Sequence, residues 1–203
     1  MLWTNTINHT KINIIALFFA STSISLLLLN KTIMKKLFLS MLFMSTVNMF
    51  GYSISNNGKQ FIKDQEKCVL TAYWDSNGYS IGYGHHSSDV TRGMTITQAQ
   101  ANKYFNEDIK VIEKAANRLI NSLPYTYSFS QNFFDGLCSL IYNCGEGGVQ
   151  KSVFYKRLKN CRVKDGKMNQ NDFNYTVAGV KTSRISCKGH VSRRYEEHKL
   201  MLN

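Results

Sequence analysis

The sequence predicts an α+β fold, in which a mainly helical domain carries a small β-hairpin near its N-terminal end. Between residues 70 and 83, hydrophobic side chains occupy every second position both before and after the turn sequence DSNG. This is the pattern of a hairpin. The chain beyond Thr97 instead repeats its apolar residues every three or four positions, which is typical of amphipathic helices. One hairpin inserted at the front of a helical domain is an α+β layout.

A short first helix is predicted over residues 58–66, where Phe61, Ile62 and Gln65 have helical spacing and Glu66 lies near the end. The hairpin follows directly. Its alternating residues are Leu70, Ala72 and Trp74 in the first strand and Tyr79, Ile81 and Tyr83 in the second.

Two longer helices follow the hairpin. Thr97 and Gln100 form a capping-box pattern that opens the first of them, and Pro124 breaks the chain after it. Ser130 precedes the second. The apolar positions are Phe105, Ile109, Ile112, Ala116 and Leu119 in the first helix and Phe134, Leu137, Cys138 and Ile141 in the second.

The remainder of the chain gives weaker patterns. Three glycines, Gly145, Gly147 and Gly148, predict the end of the second long helix. A shorter helix is predicted near 152–160, then an irregular polar stretch, and finally a charged helix over 190–202.

Residues 1–53 are predicted to be a targeting region, because they contain long apolar runs and no acidic residue. The run INIIALFFASTSISLLLL has about the length needed to span a membrane. Met34 then begins a segment with the parts of a signal peptide, which ends in a small-x-small pattern at Gly51 and Ser53. We interpret 34–53 as a signal peptide and 1–33 as an upstream extension; one uncleaved anchor is the alternative. Either reading predicts an exported domain over 54–203, with transient membrane contact through the N-terminal segment.

The exported part is basic. Residues 1–53 hold four lysines, so 21 of the 25 basic residues and all 13 acidic residues remain, a formal charge of +8. Such a charge suits nucleic acid, an anionic membrane or an anionic cell-wall polymer. The sequence has no zinc-finger spacing, glycine-rich phosphate loop or RNA-binding aromatic motif, which argues against nucleic acid, and it predicts no metal or cofactor.

All five cysteines lie in the exported part. In an oxidising compartment some are expected to pair, and an odd number leaves one unpaired within a monomer, the expected state of the protein. The favoured pair is Cys161 with Cys187. The others are Cys68, Cys138 and Cys144.

Two carboxylates flank the first strand. Glu66 stands where the first helix meets the hairpin, a position that packing can bury among apolar neighbours, whereas Asp75 lies at a polar turn. Cleavage of a glycosidic bond needs one protonated carboxyl group and one group that handles the nucleophile, so this asymmetry fits the two roles. Ser80, just past the turn, is placed to help Asp75 hold a water molecule. Taken singly, each position is more typical of a solvated helix end or an ordinary turn than of catalysis.

Four segments in order resemble the phage-type lysozymes, the endolysins of glycoside hydrolase family 24. The first runs from Glu66 through eight residues to Asp75 and on to a hydroxyl residue before IGYGH. The others are GMTITQAQANKYFNEDI, then SQNFFDGLCSLIYNCGEGGVQKSVFYKRL, and finally GHVSRRYEEHKL. Together they span roughly residues 58–202 and imply that 54–203 is a lysozyme-like catalytic domain.

The resemblance implies an N-acetylmuramidase that hydrolyses the β-1,4 bond between N-acetylmuramic acid and N-acetylglucosamine in bacterial peptidoglycan. Glu66 matches the general acid, Asp75 the carboxylate that positions water, and Ser80 the third catalytic position. Asn143, in IYNCG, matches a polar residue of the cleft that contacts the sugar, although it also suits a cap of its own helix.

The chain departs from the family pattern at Ser80. The family usually has threonine there, and five residues rather than four separate it from the aspartate. The hydroxyl group is kept, but its position relative to Asp75 is shifted. Two alternatives therefore stay open: a lysozyme-fold protein that binds peptidoglycan with weakened catalysis, and a lytic transglycosylase, which needs the acid but not a water-positioning partner.

Overall fold

The computed structural model describes residues 51–182 and 191–203. The predicted targeting segment, apart from its last residues, and Cys187 with its predicted pairing lie outside these residues. From Tyr52 onward the described chain forms one compact unit. Its helices are α1 Asn56–Glu66, α2 Gln98–Asn121, α3 Gln131–Lys151, α4 Val153–Lys159, α5 Gln170–Thr182 and α6 Val191–Leu202.

A three-stranded antiparallel sheet follows α1. Its strands are β1 Val69–Asp75, β2 Gly78–Gly82 and β3 His85–His86, in the order β1-β2-β3. The predicted hairpin is therefore present and gains a third, two-residue strand. The alternation in β1 does not correspond to one buried face, since Leu70 and Trp74 are both exposed.

The first helix is anchored through its N-terminal end. Ser55 caps it by accepting a hydrogen bond from the Gly58 backbone N–H, and the Ser55 backbone N–H donates to Asp135 Oδ1 over 2.9 Å. A Cβ on Gly58 would lie 2.5 Å from Cγ of Asp135, so glycine lets α1 approach α3 closely. These contacts fix the direction of α1 and hence the position of Glu66 at its far end.

The two long helices begin as predicted. Thr97 and Gln100 make both hydrogen bonds of the capping box at the start of α2, and the Ser130 side chain caps α3. The main core lies between these helices and is largely aromatic and aliphatic. Its largest buried members include Phe105, Phe133, Phe134, Phe154, Ile109, Leu119, Leu137 and Ile141.

One expectation about the second half of the chain is confirmed in part and another is wrong. The first glycine of the run does interrupt α3, since Gly145 leaves the helical conformation with φ of 69° and ψ of 160°, and a second helical segment then continues to Lys151. The stretch expected to be irregular contains a second hairpin, β4 Val163–Lys164 with β5 Lys167–Met168, and then α5. Among the described residues, no helix is both long and apolar enough to cross a membrane.

Candidate active site

Glu66 is the last residue of α1 and points toward the C-terminal helix. Its side chain is 20% exposed, and its Oε1 accepts a hydrogen bond from Nη1 of Arg193 over 2.5 Å. The sequence predicted burial among apolar neighbours, but the structure gives Glu66 a charged neighbour instead. Oε2 lies 3.9 Å from the position that a Cβ on Gly84 would occupy, so the absence of a side chain at Gly84 keeps the space beside this oxygen open.

Arg193 is held by other groups besides Glu66. Its side chain is 4% exposed, and its Nε donates to Oε1 of the fully buried Glu197 over 3.1 Å. Its Nη2 lies 3.3 Å from both the carbonyl and the hydroxyl oxygen of Ser139, on α3. With four acceptors around one guanidinium, the position of the group that contacts Glu66 is fixed.

Asp75 and Ser80 share one face of the sheet. Antiparallel pairing sets Tyr73 opposite Ser80 and Asp75 opposite Gly78, and residues two apart in a strand point to the same side. Ser80 is also paired with His86 in β3, and its hydroxyl oxygen lies 3.3 Å from Nδ1 of that histidine. Asp75 is exposed and accepts a hydrogen bond from the hydroxyl group of Ser76.

The charges of both carboxylates act on the hydroxyl group of Tyr73. Partial burial raises the pKa of Tyr73 above its ordinary value of 10.0, and the charges of Asp75 and then Glu66 raise it further. Burial is also the main cause that raises the pKa of Tyr142, whose hydroxyl group donates to the Tyr83 carbonyl over 2.9 Å. Glu66 and Arg193 both act on Tyr142 as well. The structure therefore brings the end of α1, the sheet face and α3 around one surface.

Asn143 joins the same network from α3. Its Oδ1 accepts a hydrogen bond from Nη2 of Arg194 over 2.6 Å, and Nη1 of that arginine lies 2.8 Å from Oε2 of Glu197. Glu197 thus lies between two arginines, one of which contacts Glu66 and the other Asn143. Burial raises the pKa of Glu197, whereas Arg194, Ser139 and Arg193 act to lower it.

The sheet is tied to α2 through His85. Its Nδ1 lies 3.0 Å from Oδ1 of Asp108, and its ring stacks on Tyr104 at a centroid distance of 4.5 Å. Burial of Asp108 raises its pKa, an effect that the contact with His85 opposes. These contacts hold the IGYGH turn, and with it Gly84, beside Glu66.

Of the four residues predicted for the site, Glu66 and Asp75 are linked through their common effect on Tyr73, and Asn143 is linked to Glu66 through Arg194, Glu197 and Arg193. The contact found for Ser80 is with His86 rather than Asp75. Sequence reasoning missed the buried charged cluster of Ser139, Arg193, Arg194 and Glu197. The only available signal was the segment SRRYEEH, which reads as a solvated helix face unless its partners are known.

A mainly helical domain with a small antiparallel sheet near its N-terminal end is a lysozyme-like α+β fold, and in it a partly buried, ion-paired glutamate ends the first helix and an exposed aspartate ends the first strand. The phage lysozyme family model matches residues 63–197, well over half of the chain. The chain therefore belongs to the phage lysozyme family, and it is a glycoside hydrolase of the lysozyme type.

Individual relatives agree with this. The chain is 36% identical to the endolysin of Salmonella phage P22, over 52% of this chain and 72% of that protein. It is 33% identical to the endolysin of Acyrthosiphon pisum secondary endosymbiont phage 1, over 72% of this chain and 96% of that one. Identity to the SAR-endolysin of Bacteriophage PS34 is 27%, over 61% and 67% of the two chains. Some other endolysin relatives are longer, and the matched part covers only 42% and 39% of two of them.

Solved structures give the same fold. A point mutant of P22 lysozyme superposes with a TM-score of 0.56 at 26% identity, and the match covers 75% of this chain and 99% of that one. The predicted α+β, lysozyme-like fold and the predicted family are both confirmed.

Proposed function

We propose that this enzyme is an N-acetylmuramidase that hydrolyses the β-1,4 bond between N-acetylmuramic acid and N-acetylglucosamine in bacterial peptidoglycan. Glu66 donates a proton to the leaving oxygen, and Asp75 positions the water that attacks the sugar, with help from Ser80. Asn143 contacts the sugar. Oε1 of Glu66 is engaged by Arg193, so Oε2, beside Gly84, is the oxygen that faces the space available to the leaving group.

One observation carries the proposal. Glu66 lies where α1 meets the sheet and Asp75 lies at the first turn of that sheet, and the two occupy different surroundings, one largely enclosed and the other exposed. A glycosidase needs this contrast, because its acid must be shielded and its second carboxylate must meet water. We expect inversion of configuration, for which the two carboxyl groups stand roughly 6.5–9.5 Å apart. Proton NMR of the first product formed tests this, and a retained β-anomer would contradict it.

The roles are tested by clearing of outer-membrane-permeabilised bacteria. Glu66→Gln keeps the size and hydrogen-bonding shape of the side chain but removes the acid, so we expect lysis to fall at least about 1,000-fold. Glu196→Gln, an exposed position on α6, is the matched control and should lyse like the parent. Circular dichroism first establishes that all three proteins are folded. Full lysis by a folded Glu66→Gln protein rules out this assignment.

A second candidate is supported by the contact of Ser80. Its hydroxyl group contacts His86 rather than Asp75, which leaves Asp75 without this help in holding water and favours a lytic transglycosylase, in which a hydroxyl group of the substrate itself attacks the anomeric carbon. Mass spectrometry of the products distinguishes the two reactions. Reducing ends support the hydrolase, and anhydro-muramic ends support the transglycosylase.

The role of Asn143 rests on the fixed orientation of its amide group. Arg194 holds Oδ1, so the amide N–H groups are the donors that would meet a sugar oxygen. Asn143→Asp is expected to raise KM more than it lowers kcat, measured on peptidoglycan fragments, because the aspartate cannot donate this hydrogen bond. An unchanged KM would argue that Asn143 serves only to hold Arg194.

Peptidoglycan lies outside the cytoplasmic membrane, so this function requires export. We propose that residues 1–53 supply it, in keeping with their apolar, acid-free sequence and with the SAR-endolysin relative. Fractionation of cells that express the full chain tests this: deletion of residues 1–53 should leave the protein inside and abolish lysis from within.

A further inference from the structure

A groove of about 440 Å³ opens between α4 and α5. Lys156, Arg157 and Val153 of α4 line one side, and Asp172 and Tyr175 of α5 line the other. None of these residues takes part in the proposed catalytic site.

The walls of this groove are rigidly joined. A Cβ on Gly179 would lie 2.8 Å from Cα of Phe154, so the two helices touch backbone to backbone at this point. Phe154 and Leu158 are fully buried beneath the groove. The groove is thus preformed, and a ligand would meet it without a cost of ordering the walls.

Two cations in the groove lack a carboxylate partner. All 13 acidic side chains of the chain lie in described residues, and none is within ion-pair distance of Lys156 or Arg157. The acid of the groove, Asp172, is engaged by Arg162 at 3.4 Å. The groove therefore presents net positive charge to solvent.

Arg157 is held in place by neutral contacts. Its guanidinium lies 3.9 Å from the ring centroid of Tyr175, and its Nη1 donates to the Tyr175 carbonyl over 2.9 Å. Tyr175 is 62% exposed and Val153 38% exposed, so two apolar surfaces flank the fixed cation. A preorganised guanidinium between apolar surfaces suits a carboxylate carried by small apolar residues.

We propose that this groove binds acidic peptide, specifically the carboxylate-bearing, alanine-rich peptide stems of peptidoglycan, at a site separate from the catalytic cleft. The inference rests on the proposed function, which makes peptidoglycan the polymer that the protein meets. Phosphodiester wall polymers would satisfy the cations but leave the apolar flanks of Tyr175 and Val153 unused.

The test measures binding of the full-length chain in its Glu66→Gln form, which removes hydrolysis from the readout. Purified sacculi freed of phosphodiester polymers are the probe. Lys156→Gln with Arg157→Gln should weaken the Kd about tenfold, the loss expected for one to two charge-assisted contacts. Lys110→Gln with Lys114→Gln is the control, since it removes the same charge from α2, away from the groove. A variant with Lys156→Gln and Arg157→Lys keeps the charge at position 157. It should bind more tightly than the double glutamine variant.

Two outcomes overturn the inference. Equal losses in the groove and control variants mean that only net charge matters. A loss that persists on glycan strands stripped of their peptides, or that appears only with phosphodiester polymers, means that the ligand is not the peptide. Hydrolysis of intact sacculi by the same proteins with Glu66 restored separates this question from catalysis: no cleavage by the parent counts against the proposed function, whereas cleavage by the parent together with unaltered binding by the groove variant counts against the groove alone.

Discussion

At the scale of single residues, the pKa of Tyr73 depends on the charges of the two candidate carboxylates. Negative charge nearby disfavours the tyrosinate, so Glu66→Gln and Asp75→Asn should each lower the pKa of Tyr73 toward 10.0, and Asp75→Asn should do so more. A part of the elevation should remain in both, because burial is its largest cause. Carbon NMR of ring-labelled tyrosine measures the titration, and Glu107→Gln serves as control. An unchanged pKa in both variants would show that the two carboxylates do not share this surface.

Glu197 shows how one buried charge can position two site residues. Glu197→Gln leaves Arg193 and Arg194 without their common buried carboxylate, and loss of one partner of a buried ion pair costs about 3–5 kcal/mol. We therefore expect the free energy of unfolding in urea to fall by that amount. Peptidoglycan lysis should fall too, even at temperatures where the variant is fully folded.

Glu196→Gln, at the adjacent exposed position, should change neither quantity by much. If Glu197→Gln lost stability while the folded protein kept the parent kcat and KM, the cluster would be structural only. Its proposed role in orienting Glu66 and Asn143 would then be wrong.

At the scale of elements, Gly179 and Gly147 allow a controlled comparison, because a Cβ would meet backbone atoms at the first and open space at the second. Gly179→Ala would place a Cβ 2.8 Å from the Phe154 backbone and force α4 and α5 apart, at a cost of about 1–3 kcal/mol. Gly147→Ala meets open space on α3, so it should be neutral or stabilise by up to about 1 kcal/mol through helix propensity. Urea unfolding of the two variants measures both values, and equal effects would contradict this packing.

Local signals predicted where the two long helices begin. Thr97, Gln100 and Ser130 act within three residues of themselves, so their caps could be predicted from sequence. The helical segment that follows the kink at Gly145 contains two further glycines and a fully buried Val149, and the local sequence does not reveal that burial. The second hairpin was missed although Asp165–Gly166 between Lys164 and Lys167 is typical of a tight turn with two positive φ values.

At the scale of the whole molecule, the formal charge of +8 on residues 54–203 should steer the enzyme to an anionic wall. Clearing of permeabilised bacteria is therefore expected to slow several-fold between about 50 mM and 500 mM NaCl, because the Debye length shrinks over this range. Urea unfolding at both salt concentrations checks that stability is unchanged. If the rate of clearing did not depend on salt, the substrate would be bound through short-range contacts in the cleft and not through long-range attraction.

The sequence by itself determined the α+β class, the family, the caps at Thr97 and Ser130 and the places of Glu66 and Asp75 at a helix end and a turn, because these depend on periodicity, turn chemistry and short motifs. Only the tertiary structure decided what surrounds them. Arg193 reaches Glu66 across 127 positions of the chain, and Arg194 reaches Asn143 across 51. Nothing in the local pattern of SRRYEEH distinguishes a solvated helix face from a buried charged cluster, since that difference arises when α6 packs against α3 and the arginines lose access to water.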